Sequence, residues 1–154
     1  MDPEKKLNRY NRIYTQLSEL VKRTDNKIAR MATISAILYH KMDEFSWAGF
    51  YLLQNNELIV GPYQGPVACQ ILEKDRGVCW KGINDQKNII VPDVRKFPGH
   101  IACDPRSRSE IVIPVRNNKK EIIGVLDIDS NKPDNFDETD ASQLEKIISL
   151  IFSS

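Results

Sequence analysis

Cys69, Cys79 and Cys103 are the residues best equipped for chemistry, and they stand 10 and 24 positions apart. They form no Cys-x-x-Cys pair and have no histidine at zinc-ligand spacing, so no metal centre is predicted. An odd cysteine count suits a reducing compartment and leaves thiols free to react. A cysteine attacks as its thiolate, which a nearby cation favours. His100, Arg106 and Arg108 all fall within five residues of Cys103, which makes it the predicted nucleophile, although Asp104 opposes the effect. Cysteines buried as small hydrophobes are the plainer reading. Against it, all three adjoin loop-forming sequence: Gly65-Pro66-Val67-Ala68 before Cys69, Asp75-Arg76-Gly77-Val78 before Cys79, and Pro98-Gly99-His100 ahead of Cys103.

A second concentration of chemistry lies in Ile122–Asp129. Alternation along a strand puts Ile123, Val125, Asp127 and Asp129 on one face, so that face turns from apolar to doubly acidic. If the preceding hairpin closes on Asn118-Lys119, Glu110 comes opposite Asp127 and adds a third acid. Carboxylates gathered this way raise one another's pKa and destabilise the strand pair unless a cation or donors compensate. They make sense if they hold an ammonium group, or if one stays protonated as a donor; otherwise the aspartates merely begin a solvated turn at Ser130-Asn131. Trp47 and Tyr51, separated by four positions with Gly49 between, share a strand face and could enclose a methyl or sulfonium-like group rather than serve as plain core.

These residues need a frame. Leu7, Tyr10, Ile13, Tyr14, Leu17, Leu20 and Val21 recur at helical spacing, and Ile28, Met31, Ile34, Leu38 and Met42 repeat the pattern after Thr24-Asp25-Asn26, predicting two helices within residues 5–42. Residues 46–54 and 57–63 flank the turn signal Asn55-Asn56 and predict a hairpin. A short helix near 78–85, a short strand at 88–91 and a long irregular segment over 92–108 follow; loops of that length tend to be functional lids or disordered. Residues 110–115 and 121–129 predict a second hairpin. A closing helix over 137–152 has Asp137 as N-cap, Asp140 at its third position, and Leu144, Ile147, Ile148 and Ile151 as its stripe. The order implies an α+β fold: one domain over 1–154, with a central antiparallel sheet and flanking helices, the catalytic core lying at about 45–130.

Composition narrows the partners. The 154 residues are 41% hydrophobic and 28% charged, an ordinary globular balance. Net charge is +1, from 22 basic and 21 acidic residues, so no global field favours nucleic acid, a membrane surface or acidic substrates. The N-terminus carries no apolar signal-like run and no segment is long enough to span a bilayer, which predicts a cytoplasmic protein.

The segments WAGFY (47–51), GPYQGPVAC (61–69), RGVC (76–79), PGHIACD (98–104), SEIVIPV (109–115) and IIGVLDIDS (122–130) resemble the free-methionine-(R)-sulfoxide reductases, enzymes of GAF fold. The similarity runs from about Trp47 to Asp140 and keeps all three cysteines at the family's separations. It implies that Cys103 is the catalytic cysteine, forming a sulfenic acid, and that Cys69 and Cys79 are disulfide partners, with either resolving first. It implies too that Glu110, Asp127 and Asp129 divide ammonium recognition and proton donation between them, while Trp47 and Tyr51 enclose the sulfur-methyl end. The implied substrate is free methionine sulfoxide, recycling falls to a thioredoxin-like dithiol, no cofactor is needed, and the resemblance points to a homodimer. Trp80 stands where the family commonly has a small residue, and the turn at Asn117–Lys120 is one residue longer than in some members. A GAF-type small-molecule sensor and a thiol redox sensor without turnover are the alternatives.

Overall fold

A computed structural model describes residues 1–100 and 103–154; Ile101 and Ala102, inside the predicted 92–108 loop, lie outside the described residues. Helix α1 spans Pro3–Leu20. Asp2 caps it by accepting from the Lys5 amide at 3.0 Å, and Pro3 occupies the first turn, where a missing N–H costs nothing. A 3-10 turn at Val21–Arg23 leads to α2, Lys27–Lys41, which starts where the Asn26 side chain accepts from the Ala29 amide at 2.9 Å. The buried stripes are Tyr10, Ile13, Leu17 and Val21, then Met31, Ile34, Leu38 and Met42. Leu7, Leu20 and Ile28, predicted in the same stripes, are exposed because they fall at the stripe edges, beyond the sheet.

Strands β1 (Trp47–Gln54) and β2 (Glu57–Gln64) form the first predicted hairpin. Its loop is Asn55-Asn56, both with positive φ, the conformation that matches the twist of a two-residue hairpin. The two-residue strand β3 (Ile71–Leu72) was too short to show in the periodicity. Helix α3 is Gly77–Asp85, β4 is Ile89–Val91, and a 3-10 turn at Val94–Lys96 interrupts the irregular segment that follows. Strands β5 (Ser109–Arg116) and β6 (Ile122–Ser130) make the second hairpin. Helix α4, Glu138–Ile148, begins with the predicted Asp137 cap completed into a capping box by Asp140, and a 3-10 turn at Ser149–Phe152 ends the chain's ordered elements.

The six strands form an antiparallel sheet in the order β3-β2-β1-β6-β5-β4. Helices α1, α2 and α4 cover one face, where Phe50, Ile111, Ile113, Leu126 and Ile128 meet Tyr10, Leu17, Ile34 and Leu144 in the larger apolar cluster. The opposite face carries Trp47, Tyr51, Val112 and Val125 beneath α3 and the loops around it. The architecture is therefore α+β, as the order of elements predicts, with the helices unequally shared between the two faces.

The β5–β6 register departs from expectation. Glu110 lies opposite Asp129, and Val112 opposite Asp127, whereas the short-loop alignment placed Glu110 against Asp127. The turn is wider: the Asn117 amide donates to the Glu121 carbonyl, Lys120 has positive φ, and a bulge falls at Val115/Arg116. A slip of two residues preserves the faces, so the acids remain together. The bulge leaves Ile123 without a partner on β5, and Ile123 packs with the helix-side cluster rather than on the acidic face.

Candidate active site

A cavity opens on the α3 side of the sheet, bordered by residues from several segments. β1 supplies Trp47 and Tyr51, β5 Glu110, β6 Asp127 and Asp129, α3 Gly77, Val78 and Cys79, and the loop before β5 His100, Cys103 and Ser107. Cys69 is joined to it covalently: its sulfur is bonded to that of Cys103, with the Cα atoms 5.8 Å apart, inside the usual range for a disulfide. Cys79 is a buried free thiol. Every site residue predicted from the sequence thus borders this cavity or is bonded to a residue that does. A larger but shallower groove, lined by Lys87, Arg116 and Glu145 among others, contains no cysteine.

The aromatic pair is positioned by close backbone approach. Trp47 stacks on Tyr51 at 5.8 Å between centroids and on Tyr63 of β2 at 5.1 Å. A Cβ on Gly49 would overlap Tyr63 and come within 2.9 Å of the Trp47 ring, so only glycine lets these rings close. Both side chains also hold the Cys69 loop: the Trp47 indole donates to the Pro66 carbonyl at 3.1 Å, and the Tyr51 hydroxyl to the Cys69 carbonyl at 3.0 Å. Trp80, the departure from the family pattern, is buried and donates to the Leu72 carbonyl at 3.3 Å, tying α3 to β3.

The acidic cluster is short of compensation. Glu110 and Asp127 are buried, and no ion pair among the described residues involves either of them or Asp129. Burial raises Glu110 well above the usual carboxylate range, with the charges of Asp127 and Asp129 adding to the effect. Asp129 is pushed up by the same desolvation and by Asp127 and Asp104. Asp127 is raised by burial too, but Glu110 and Cys79 lie at hydrogen-bonding range and pull it back down. One of its oxygens, Oδ1, still has no partner among the described residues, and neither has the Ser107 hydroxyl. Burial, followed by the neighbouring acids, also pushes the Cys79 thiol far up, which keeps it protonated and unreactive.

The predicted cationic support for Cys103 is not assembled as expected. Arg106 folds back on Asp104, its Nε 3.1 Å from that carboxylate, and holds Asp104 below its ordinary pKa. Arg108 donates to the Pro105 and Ser107 carbonyls at 2.9 Å. Only His100 of the three borders the cavity, and burial lowers its pKa, disfavouring the charged form. Sequence distance ranked all three alike because it carries no direction. Conversely, Arg76 and Ser107 line the cavity and were passed over. For Arg76 the signal was present, a cation three residues before Cys79. Helix α3 begins there with no side-chain cap, and its first residues, Gly77, Val78 and Cys79, border the cavity.

The cavity lies on the sheet face opposite helices α1, α2 and α4, and a GAF-domain family profile matches residues 30–151. Free methionine-R-sulfoxide reductase of Saccharomyces cerevisiae is 41% identical over 136 residues, covering 84% of this chain and 76% of that protein. The chain belongs to this reductase family. The Escherichia coli enzyme of the same name is 43% identical over 121 residues, 79% of this chain and 73% of its own length. Among solved structures, the Neisseria meningitidis family member in complex with its substrate superposes with a TM-score of 0.89 at 36% identity, over 95% of this chain and 87% of that one.

Proposed function

We propose that this protein reduces free L-methionine (R)-sulfoxide to methionine by thiol chemistry at Cys103. The observation that carries the reading is a disulfide between Cys69 and Cys103 at the edge of a cavity that also holds three carboxyls and an aromatic pair. In the reduced protein the Cys103 thiolate attacks the sulfoxide sulfur. The oxygen takes up a proton and moves to Cys103 as a sulfenic acid, and methionine departs. Cys69 then displaces water from the sulfenic acid and closes the disulfide. An external dithiol of thioredoxin type reopens it by exchange, becoming oxidised in turn.

Electrostatics divide the acids. Glu110, desolvated and beside two other carboxyls that raise its pKa further, is the acid suited to hold a proton and donate it to the sulfoxide oxygen. Asp127, steadied by Glu110 and Cys79 and with a free Oδ1, is the anion fitted to an ammonium group. The uncapped α3 N-terminus and Arg76 suit the carboxylate end of a free amino acid. A methionine sulfoxide within a peptide has neither charged end, so the same arrangement selects against it. Trp47 and Tyr51 offer ring faces to the sulfur-methyl end.

The direct test is to incubate the protein with dithiothreitol and each sulfur epimer of free L-methionine sulfoxide and to measure methionine. Turnover of the R epimer is expected. Ligand binding without methionine formation would make the protein a GAF receptor instead.

A further inference from the structure

The sequence offers no zinc-type spacing, yet the fold brings one thiol and two carboxyls to a point. The Cys79 sulfur, a Glu110 oxygen and an Asp127 oxygen all lie within 4.8 Å of one another, and all three residues are buried. The elements that converge are rigid: Cys79 sits in the third position of α3, Glu110 on β5 and Asp127 on β6, with β5 and β6 adjacent in the sheet. A tetrahedral zinc ion with bonds of ~2.0–2.3 Å needs its ligand atoms roughly 3.5 Å apart, so small side-chain rotations would suffice. One thiolate with two carboxylates is a donor set that zinc and cadmium accept and that magnesium and calcium do not favour.

Independent of this spacing, the Oδ1 atom of Asp127, a residue that borders the cavity, is buried and has no hydrogen-bond partner among the described residues. A buried carboxylate oxygen left unpaired is costly, and the Glu110 and Cys79 groups that reach Asp127 leave Oδ1 unmet among the described residues. A cation is the group that would satisfy it. The Ser107 hydroxyl, also without a partner, faces the same space and could hold a water bound to the ion.

We propose that Cys79, Glu110 and Asp127 bind a thiophilic divalent cation, zinc or cadmium, with the remaining coordination position open to the cavity. Bound there, the ion takes the place of the ammonium group and excludes the amino acid. The site itself rests on the cluster alone, and the exclusion rests on the function proposed above.

The disulfide form of the full chain isolates the question, because with Cys69 and Cys103 joined the only remaining thiol of the three in the sequence is Cys79. Titrating that form with cadmium should produce a thiolate-to-cadmium ultraviolet charge-transfer band that saturates at one equivalent. The band should vanish in Cys79→Ser. The isosteric changes Asp127→Asn and Glu110→Gln should each weaken binding by at least about tenfold. No band, or a band of unchanged affinity in both isosteric variants, overturns the site. Exclusion is read in Cys69→Ser/Cys103→Ser, which cannot close the disulfide and keeps Cys79 as its single thiol. There methionine sulfoxide should weaken cadmium binding in proportion to its concentration. Undiminished cadmium binding at saturating methionine sulfoxide overturns the exclusion and bears against the ammonium role of Asp127. A missing cadmium site alongside normal turnover of the wild-type protein overturns the inference alone.

Discussion

The two faces of the sheet bury polar groups under opposite rules. On the helix side, Asp140 is buried and fully engaged. It accepts from the Tyr10 hydroxyl at 2.5 Å and from Lys6 at 2.6 Å, and it closes the capping box of α4. Arg30, also buried, donates to the carbonyls of Thr24, Leu150 and Ser153 at 2.7–2.9 Å and so stitches α2 to the last turn of the chain. On the cavity side, Glu110, Asp127 and Asp129 crowd together, and among the described residues no cation pairs with them and Asp127 Oδ1 and Ser107 Oγ have no partner. Burial is similar and satisfaction differs. The first arrangement stabilises a fold, whereas the second spends stability on groups held ready for a ligand.

The difference predicts that activity and stability separate by face. Cys103→Ser should abolish methionine formation, a loss of at least about a thousandfold, while the thermal midpoint of the reduced protein stays close to that of reduced wild type. Residual turnover above that level would remove Cys103 from the nucleophile's role. On the other face, Asp140→Ala breaks the Tyr10 and Lys6 contacts and half of the α4 capping box. It should cost ~2–4 kcal/mol in denaturant unfolding, with kcat/KM of the folded fraction within about twofold of wild type. A large loss of kcat/KM would mean that the two faces are coupled rather than separate.

Glu110→Gln sharpens the comparison, because it should injure function and help the fold. A carboxyl whose folded pKa lies above its unfolded value binds its proton more tightly in the native state. Stability is therefore highest below the ordinary carboxylate pKa and declines as pH rises from there toward the raised folded value. Glu110 and Asp129 both contribute to this decline. Replacing Glu110 with glutamine removes one ionisable group, so the ligand-free variant should gain ~1–2 kcal/mol relative to wild type at pH 8 and little at pH 4. Urea unfolding at the two pH values measures it. An equal effect at both would show that desolvation of the Glu110 charge is not what limits stability.

Much of the frame was legible because its signals are local. The Asn55-Asn56 turn, the Asp137 cap and the alternation that gathers Asp127 and Asp129 each depend on neighbours within a few residues. What was not legible depends on direction or distance in space. The β5–β6 register moved by two residues because a wider turn and a bulge preserve the same alternation, so the hydrophobic pattern could not distinguish the two alignments. Arg106 and Arg108 were close to Cys103 in sequence but turn to Asp104 and to backbone carbonyls. The pairing of Cys69 with Cys103 across 34 residues, and the meeting of Cys79 with two acids, follow from how α3 and two loops fold over the sheet, which no spacing encodes.

The smallest effect concerns the disulfide as a gate. With Cys69 and Cys103 joined, the enclosed part of the cavity is about 50 Å3, space for a few waters. Cys69 lies at the end of the loop held by Trp47 and Tyr51, and Cys103 in the segment between the 3-10 turn and β5, so the bond ties together two segments that border the cavity. Reduction breaks this tie, whereas the indole and phenol hydrogen bonds to the Cys69 loop do not depend on it. Methionine sulfoxide should therefore bind the disulfide form about tenfold or more weakly than it binds Cys103→Ser, which is open but cannot react. Calorimetry on the two proteins gives the ratio. Equal affinities would mean that the cleft admits its ligand whatever the state of the cysteines, and that the polar groups left unsatisfied on this face are reachable throughout the cycle.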